Sequence, residues 1–153
     1  LSEVRTQGAS LGINYYANNQ LMVSANGSWN ELVKTDENDP IIPAFNTPRF
    51  KYNLGLTGRD IKLKGKSTWN FRVKYKWVQA FVFEGSPQFT GNVPTYDLLD
   101  AQVNAIIEPL NLTVKLGGSN LLQNIHIETY GGPSVGRMLY GSLIYEFNHR
   151  KDR

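Results

Sequence analysis

Over residues 110–147 the chain reads LNLTVKLGGSNLLQNIHIETYGGPSVGRMLYGSLIYEF. Leu110, Leu112, Val114 and Leu116 alternate with Asn111, Thr113 and Lys115, and past a polar, Gly-rich segment Leu139, Gly141, Leu143, Tyr145 and Phe147 alternate with Tyr140, Ser142, Ile144 and Glu146. A period of two predicts β-strands. It recurs upstream: Ala9, Leu11, Ile13 and Tyr15; Leu21, Val23, Ala25, Gly27 and Trp29; Phe50, Tyr52, Leu54 and Leu56; Leu99, Ala101, Val103, Ala105 and Ile107. The clearest run places Trp69, Phe71, Val73, Tyr75 and Trp77, continued by Phe81 and Phe83, against Asn70, Arg72, Lys74 and Lys76.

About seven strands follow from this pattern, each with an apolar face that ends in aromatics and a face of hydroxyl, amide or charged groups. Membrane-spanning barrel strands look this way, with lipid outside and water inside. The connections alternate in kind. Residues 17–19 and 108–109 make tight turns, residues 58–67 (GRDIKLKGKS) a medium, basic connection, and residues 34–48, 84–95 and 121–136 long loops with Pro or Gly. Outer-membrane barrels have short periplasmic turns and longer extracellular loops, so the last strand is expected to run from outside inward.

The expected fold is therefore all-β, an antiparallel transmembrane β-barrel. Bacterial single-chain barrels have even strand numbers of about eight or more, so seven strands suggest the C-terminal part of a larger barrel. The strand that seals against residues 137–147 is expected outside this chain. Residues 1–147 form the barrel segment, and residues 148–153 (NHRKDR) a polar tail.

Composition narrows this picture without overturning it. Of 153 residues 41% are hydrophobic, and no window reaches the 18 or so continuous apolar residues of a membrane helix. The mean hydropathy of −0.37 is no objection to a barrel, because only alternate residues face lipid. A net charge of +3 with scattered basic residues gives no footprint for nucleic acid. Cysteine is absent, which excludes disulfides, thiol nucleophiles and Cys-ligated metals. Arg72, Lys74 and Lys76 bear most on the choice between soluble and membrane barrel. Inside a small soluble barrel each unpaired cation costs several kcal/mol; facing a wet lumen it costs little.

Lys115-Leu116-Gly117-Gly118-Ser119-Asn120-Leu121-Leu122, Tyr130-Gly131-Gly132-Pro133, Gly136-Arg137 and Tyr145-Glu146-Phe147 resemble the C-terminal end of TonB-dependent outer-membrane receptors, most closely those of the Bacteroidetes branch. The resemblance covers about the last forty residues by motif and the upstream strands in style. It implies a barrel of about 22 strands with a plug domain and TonB box that this stretch lacks. It also implies import of a scarce ligand (siderophore, cofactor or oligosaccharide) driven through the TonB complex, with outer-membrane lipid and the barrel-assembly machinery as further partners. Leu139, Leu143, Tyr145 and Phe147 would carry the assembly signal, although residues 148–153 extend past the Phe that ends the family's proteins.

The remaining chemistry is sparse. Gly117-Gly118 and Gly131-Gly132 lack the strand and helix context of a phosphate loop, and His126 and His149 are too far apart in sequence to read as a pair. Asp36, Asn38 and Asp39 offer oxygens for Ca²⁺ without the rest of a calcium loop. No catalytic motif appears, so neither enzyme activity, cofactor nor metal is expected. Candidate ligand contacts are the loop residues Phe45, Asn46, Phe89 and Tyr130; Arg72, Lys74, Lys76 and Lys115 are expected to line the lumen; Trp29, Trp69 and Trp77 are expected in interfacial girdles. Two other readings fit the pattern: a soluble small β-barrel holding an apolar ligand, and a small complete outer-membrane barrel with no uptake role.

Overall fold

The computed structural model describes residues 4–34, 46–84, 87–128 and 130–147. Its elements are strands β1 (Val4–Tyr16), β2 (Leu21–Lys34), β3 (Phe50–Leu63), β4 (Ser67–Val78), β5 (Phe81–Phe83), β6 (Gly91–Val93), β7 (Tyr96–Ile107), β8 (Leu112–Ser119) and β9 (Met138–Tyr145), with single 3₁₀ turns at Pro87–Phe89 and Glu108–Leu110. Seven strands form one antiparallel sheet in the order β1-β2-β3-β4-β7-β8-β9, and β5 pairs only with β6. The sheet is open, with β1 and β9 as its edges.

Register brings like residues into common rows. One row at right angles to the strands runs Tyr15, Val23, Leu56, Val73, Ala101, Gly118, Leu139, and the next runs Tyr16, Met22, Thr57, Arg72, Gln102, Gly117, Tyr140. The first is apolar throughout; a slip of one residue anywhere would mix the two. The row also drifts along the sheet, leaving β1 beside the β1–β2 turn and reaching β9 at the opposite end. That accumulated stagger is the geometry of strands inclined to the sheet's axis.

All three short connections lie at one end, at residues 17–20, 64–66 and 108–111. Asn18 Oδ1 accepts from the backbone N–H of Gln20 (2.7 Å) and Leu21 (2.8 Å), while left-handed Gly65 (φ 96°) and Lys66 (φ 59°) close the second turn. At the other end lie the strand ends that the longer connections join: Lys34 and Phe50, Val78 and Tyr96, Ser119 and Met138. Here the expected boundaries need correction. The basic stretch 58–67 is mostly strand, because β3 continues to Leu63 through a β-bulge between Gly58 and Ile61. Lys34 belongs to β2. Phe81 and Phe83 do not extend β4, which stops at Val78; they fold back as β5 against β6.

Among the described residues the buried hydrophobic set is only Val78, Val93 and Ala105. Leu11 (71% exposed), Leu54, Leu116 and Leu143 (72%) stand open on the apolar face. The accessible surface is 11592 Å², against about 7,800 Å² for a packed globule of this 17.3 kDa mass. A single layer whose one face is mainly apolar has nothing of its own to cover it.

Candidate functional site

The long-connection end holds the most tightly satisfied polar groups. Asn120, directly after β8, is 3% exposed and left-handed (φ 52°). Its backbone N–H donates to Asp100 Oδ1 (2.9 Å), and its side chain donates to Asn124 O (2.7 Å) while accepting from Asn124 N (3.1 Å). Asn and Asp tolerate this backbone region better than other residues with a Cβ, and their short side chains reach nearby main chain. Asn124 then donates through its side chain to Asp97 O (3.0 Å) and to the Asp97 carboxylate, which also accepts from Tyr75 OH (2.9 Å). Asp97 therefore stands in an apolar row, opposite Trp77, with partners for its charge.

His126 is the other buried polar residue, 7% exposed, its ring stacked on Tyr96 at 4.5 Å. Nδ1 lies 3.1 Å from Asn124 O, and since a carbonyl only accepts, Nδ1 carries the hydrogen. Nε2 is buried without a hydrogen-bond partner, 3.7 Å from Glu128 Oε1. A cavity of about 510 Å³ beside it is lined by Thr95, Tyr96, Asp97, Gln123, Asn124 and His126, among others.

No known protein family, curated protein or solved structure matches the chain. The reading of the site thus rests on where the geometry puts the candidate residues.

Asn46, Phe89 and Tyr130 stitch the long connections together. Asn46 Nδ2 donates to Glu84 O (3.0 Å), and Glu84 N donates back to Asn46 Oδ1 (2.7 Å). The Tyr130 ring covers Gly91, and the Phe89 ring covers Gly131. Each glycine leaves the space its aromatic partner fills, and Gly131 also needs its φ of 78°. Gly131→Ala is expected to cost about 1–2 kcal/mol locally, seen as faster amide hydrogen exchange at residues 87–93 and 131–135. Phe45, Asp36, Asn38, Asp39 and His149 lie outside the described residues.

Arg72, Lys74, Lys76 and Lys115 share the polar face, where they are paired in register with Gln102, Asp100, Leu98 and Asn104. None of the four makes an ion pair among the described residues. Leu139, Leu143, Tyr145 and Phe147 fall together along the exposed apolar side of β9 and its end, with Tyr145 and Phe147 ring to ring at 4.7 Å and 85°. Among the described residues no group of three or more His, Asp or Glu is placed to hold a metal ion.

Sequence reasoning missed Asp97, Asn124 and the structural part of Asn120. Asp97 carried a signal, a carboxylate at an apolar-phase position. The pairing of Asn120 with Asn124 did not, since the second residue lies in a connection without periodicity.

Proposed function

We propose that the chain is wall and loop of a transmembrane β-barrel, the C-terminal portion of a TonB-dependent receptor in the bacterial outer membrane. The observation that carries the reading is the mainly apolar face that runs across all seven strands and is left uncovered, while Arg72, Lys74, Lys76 and Lys115 lie on the other side. Lipid is the partner that such a face fits. β1, β2, β3, β4 and β7, at 12–14 residues, exceed the 9–11 or so that a tilted strand needs to cross.

Aromatics supply further support. Trp29, Phe50, Tyr52, Tyr75 and Trp77 gather toward the long-connection end of the apolar face, and Tyr15, Trp69, Phe71 and Tyr145 toward the short-connection end, with Ala25, Leu54, Leu56, Val73 and Ala101 between. Two such belts suit the two membrane interfaces. In this reading the stitched long connections face outside and take part in ligand capture. Arg72, Lys74, Lys76 and Lys115 line water in the lumen; β9 ends in the periplasm with the residues read during assembly. The segment is not an enzyme; import requires a plug and the TonB complex that moves it.

All three tryptophans lie in the apolar phase. Reconstituted into vesicles containing brominated phospholipid, the chain is expected to lose most of its tryptophan fluorescence. Folded, monodisperse protein in plain buffer with unquenched tryptophan would sink the membrane reading. A parent gene with no plug-like region upstream of Leu1 would remove the receptor reading and leave a small outer-membrane barrel.

A further inference from the structure

We propose that a cleft on the polar face, near its short-connection end, is an oxyanion-binding site built by the bulge in β3. The cleft has a volume of about 300 Å³ and is lined chiefly by Thr57, Arg59, Asn70, Arg72, Gln102 and Asn104. The bulge sets Arg59 and Asp60 against Asn70, between the pairs Gly58↔Phe71 and Ile61↔Trp69. Bulges re-aim side chains in this way, and here the result is two arginines, from adjacent strands, lining one hollow. Neither forms an ion pair among the described residues, and no carboxylate lines the cleft.

The amides are turned the same way. Asn70 Oδ1 is occupied by the backbone N–H of Asp60 (2.9 Å), which leaves its Nδ2 hydrogens to the cleft. Gln102 Nε2 donates to Asn104 Oδ1 (3.3 Å), and Gln102 Oε1 accepts from Tyr140 OH (3.2 Å), so Asn104 also presents Nδ2. A site that offers guanidinium forks and amide N–H groups, with its amide oxygens already engaged, is complementary to a carboxylate, phosphate or sulfate. The inference rests on the wet polar face proposed above.

The test uses the full 153-residue chain, ¹⁵N-labelled at arginine, in octyl glucoside micelles, or in buffer if it proves soluble, titrated at constant ionic strength. Inorganic phosphate is expected to shift the Nε signals of Arg59 and Arg72 together and saturably, leaving Arg49 and Arg137 in place. Acetate reports whether a planar carboxylate serves as well, as a ligand or side chain would present it; saturation by either anion supports the site. Arg59→Gln and Arg72→Gln should each weaken binding about tenfold or more, and Arg59→Lys, which keeps the charge, by less. Equal, linear shifts at every arginine, or unchanged affinity in folded Arg59→Gln, overturn the proposal. Because the readout is binding to the chain itself, loss of the membrane reading and loss of this site are separate results.

Discussion

Leu54→Arg is expected to destabilise the chain in phospholipid vesicles by about 2–4 kcal/mol, the cost of a cation at mid-membrane depth. Asn53→Arg, one residue away, is expected to change stability by less than about 1 kcal/mol, since in the proposed barrel a charge on that face stays in water. Leu54 sits between Ala25 and Tyr75 in the apolar phase; Asn53 sits between Asn26, to which it donates at 2.8 Å, and Lys76. The neighbouring pair controls for β-propensity, edge effects and position along the strand, leaving orientation as the variable. Urea unfolding of both variants in vesicles decides the matter. Equal penalties would mean that neither face meets lipid, and a larger penalty at Asn53 would turn the sheet inside out.

Asn120→Ala should cost about 3 kcal/mol, because three effects coincide at one residue. The substitution leaves the half-buried N–H of Asn124 unpaired, worth roughly 1–3 kcal/mol, takes one of two donors from Asn124 C=O, which keeps His126 Nδ1, and puts a Cβ without a compensating side chain in the left-handed region. Loss is expected to appear first as hydrogen exchange at Asn124 and His126, whose amide donates to Val135 O at 3.4 Å. Asn120→Gly relieves the backbone and not the hydrogen bonds, so it should recover only part. If alanine and glycine behave alike, the side-chain network contributes the stability; full recovery by glycine would assign it to the backbone.

The strands were legible because the signal for them is strictly local. Ala9 to Tyr15 or Leu112 to Leu116 needs only its own alternation to fix which residues share a face, and the observed rows follow; Leu110, expected in the same strand, lies instead in the 3₁₀ turn before it. Legibility failed where the phase changes. Leu54 and Leu56 are even-numbered and Ile61 and Leu63 odd, so an uninterrupted strand would put them on opposite faces; the extra residue at the bulge, Asp60 at φ 52°, restores Ile61 and Leu63 to the apolar side. A sequence reader sees broken periodicity and GRDIKLKGKS, and reads a loop. The same happens past Trp77, where Phe81 and Phe83 keep the phase of β4 but turn back to pair with Val93 and Gly91.

The site was less legible than the strands. Asn46, Phe89 and Tyr130 stand out as loop residues with recognition chemistry, yet their partners Glu84, Gly131 and Gly91 are set by how three connections meet in space. No periodicity encodes such meetings. Asn120 lies within the run that carries the family resemblance, and its hydrogen bonds give that residue a physical task at the end of β8.

The stitching of the long connections bears on how such a surface can diversify. With Asn46 tied to Glu84, Phe89 over Gly131 and Tyr130 over Gly91, each connection carries half of a lock whose other half lies on a neighbour. A graft that exchanges one connection for a foreign one would orphan an aromatic ring or fill its slot. The three connections therefore work as one co-adapted block, and a recombination library should keep them together and cross over within the strands, where alternation alone fixes the face.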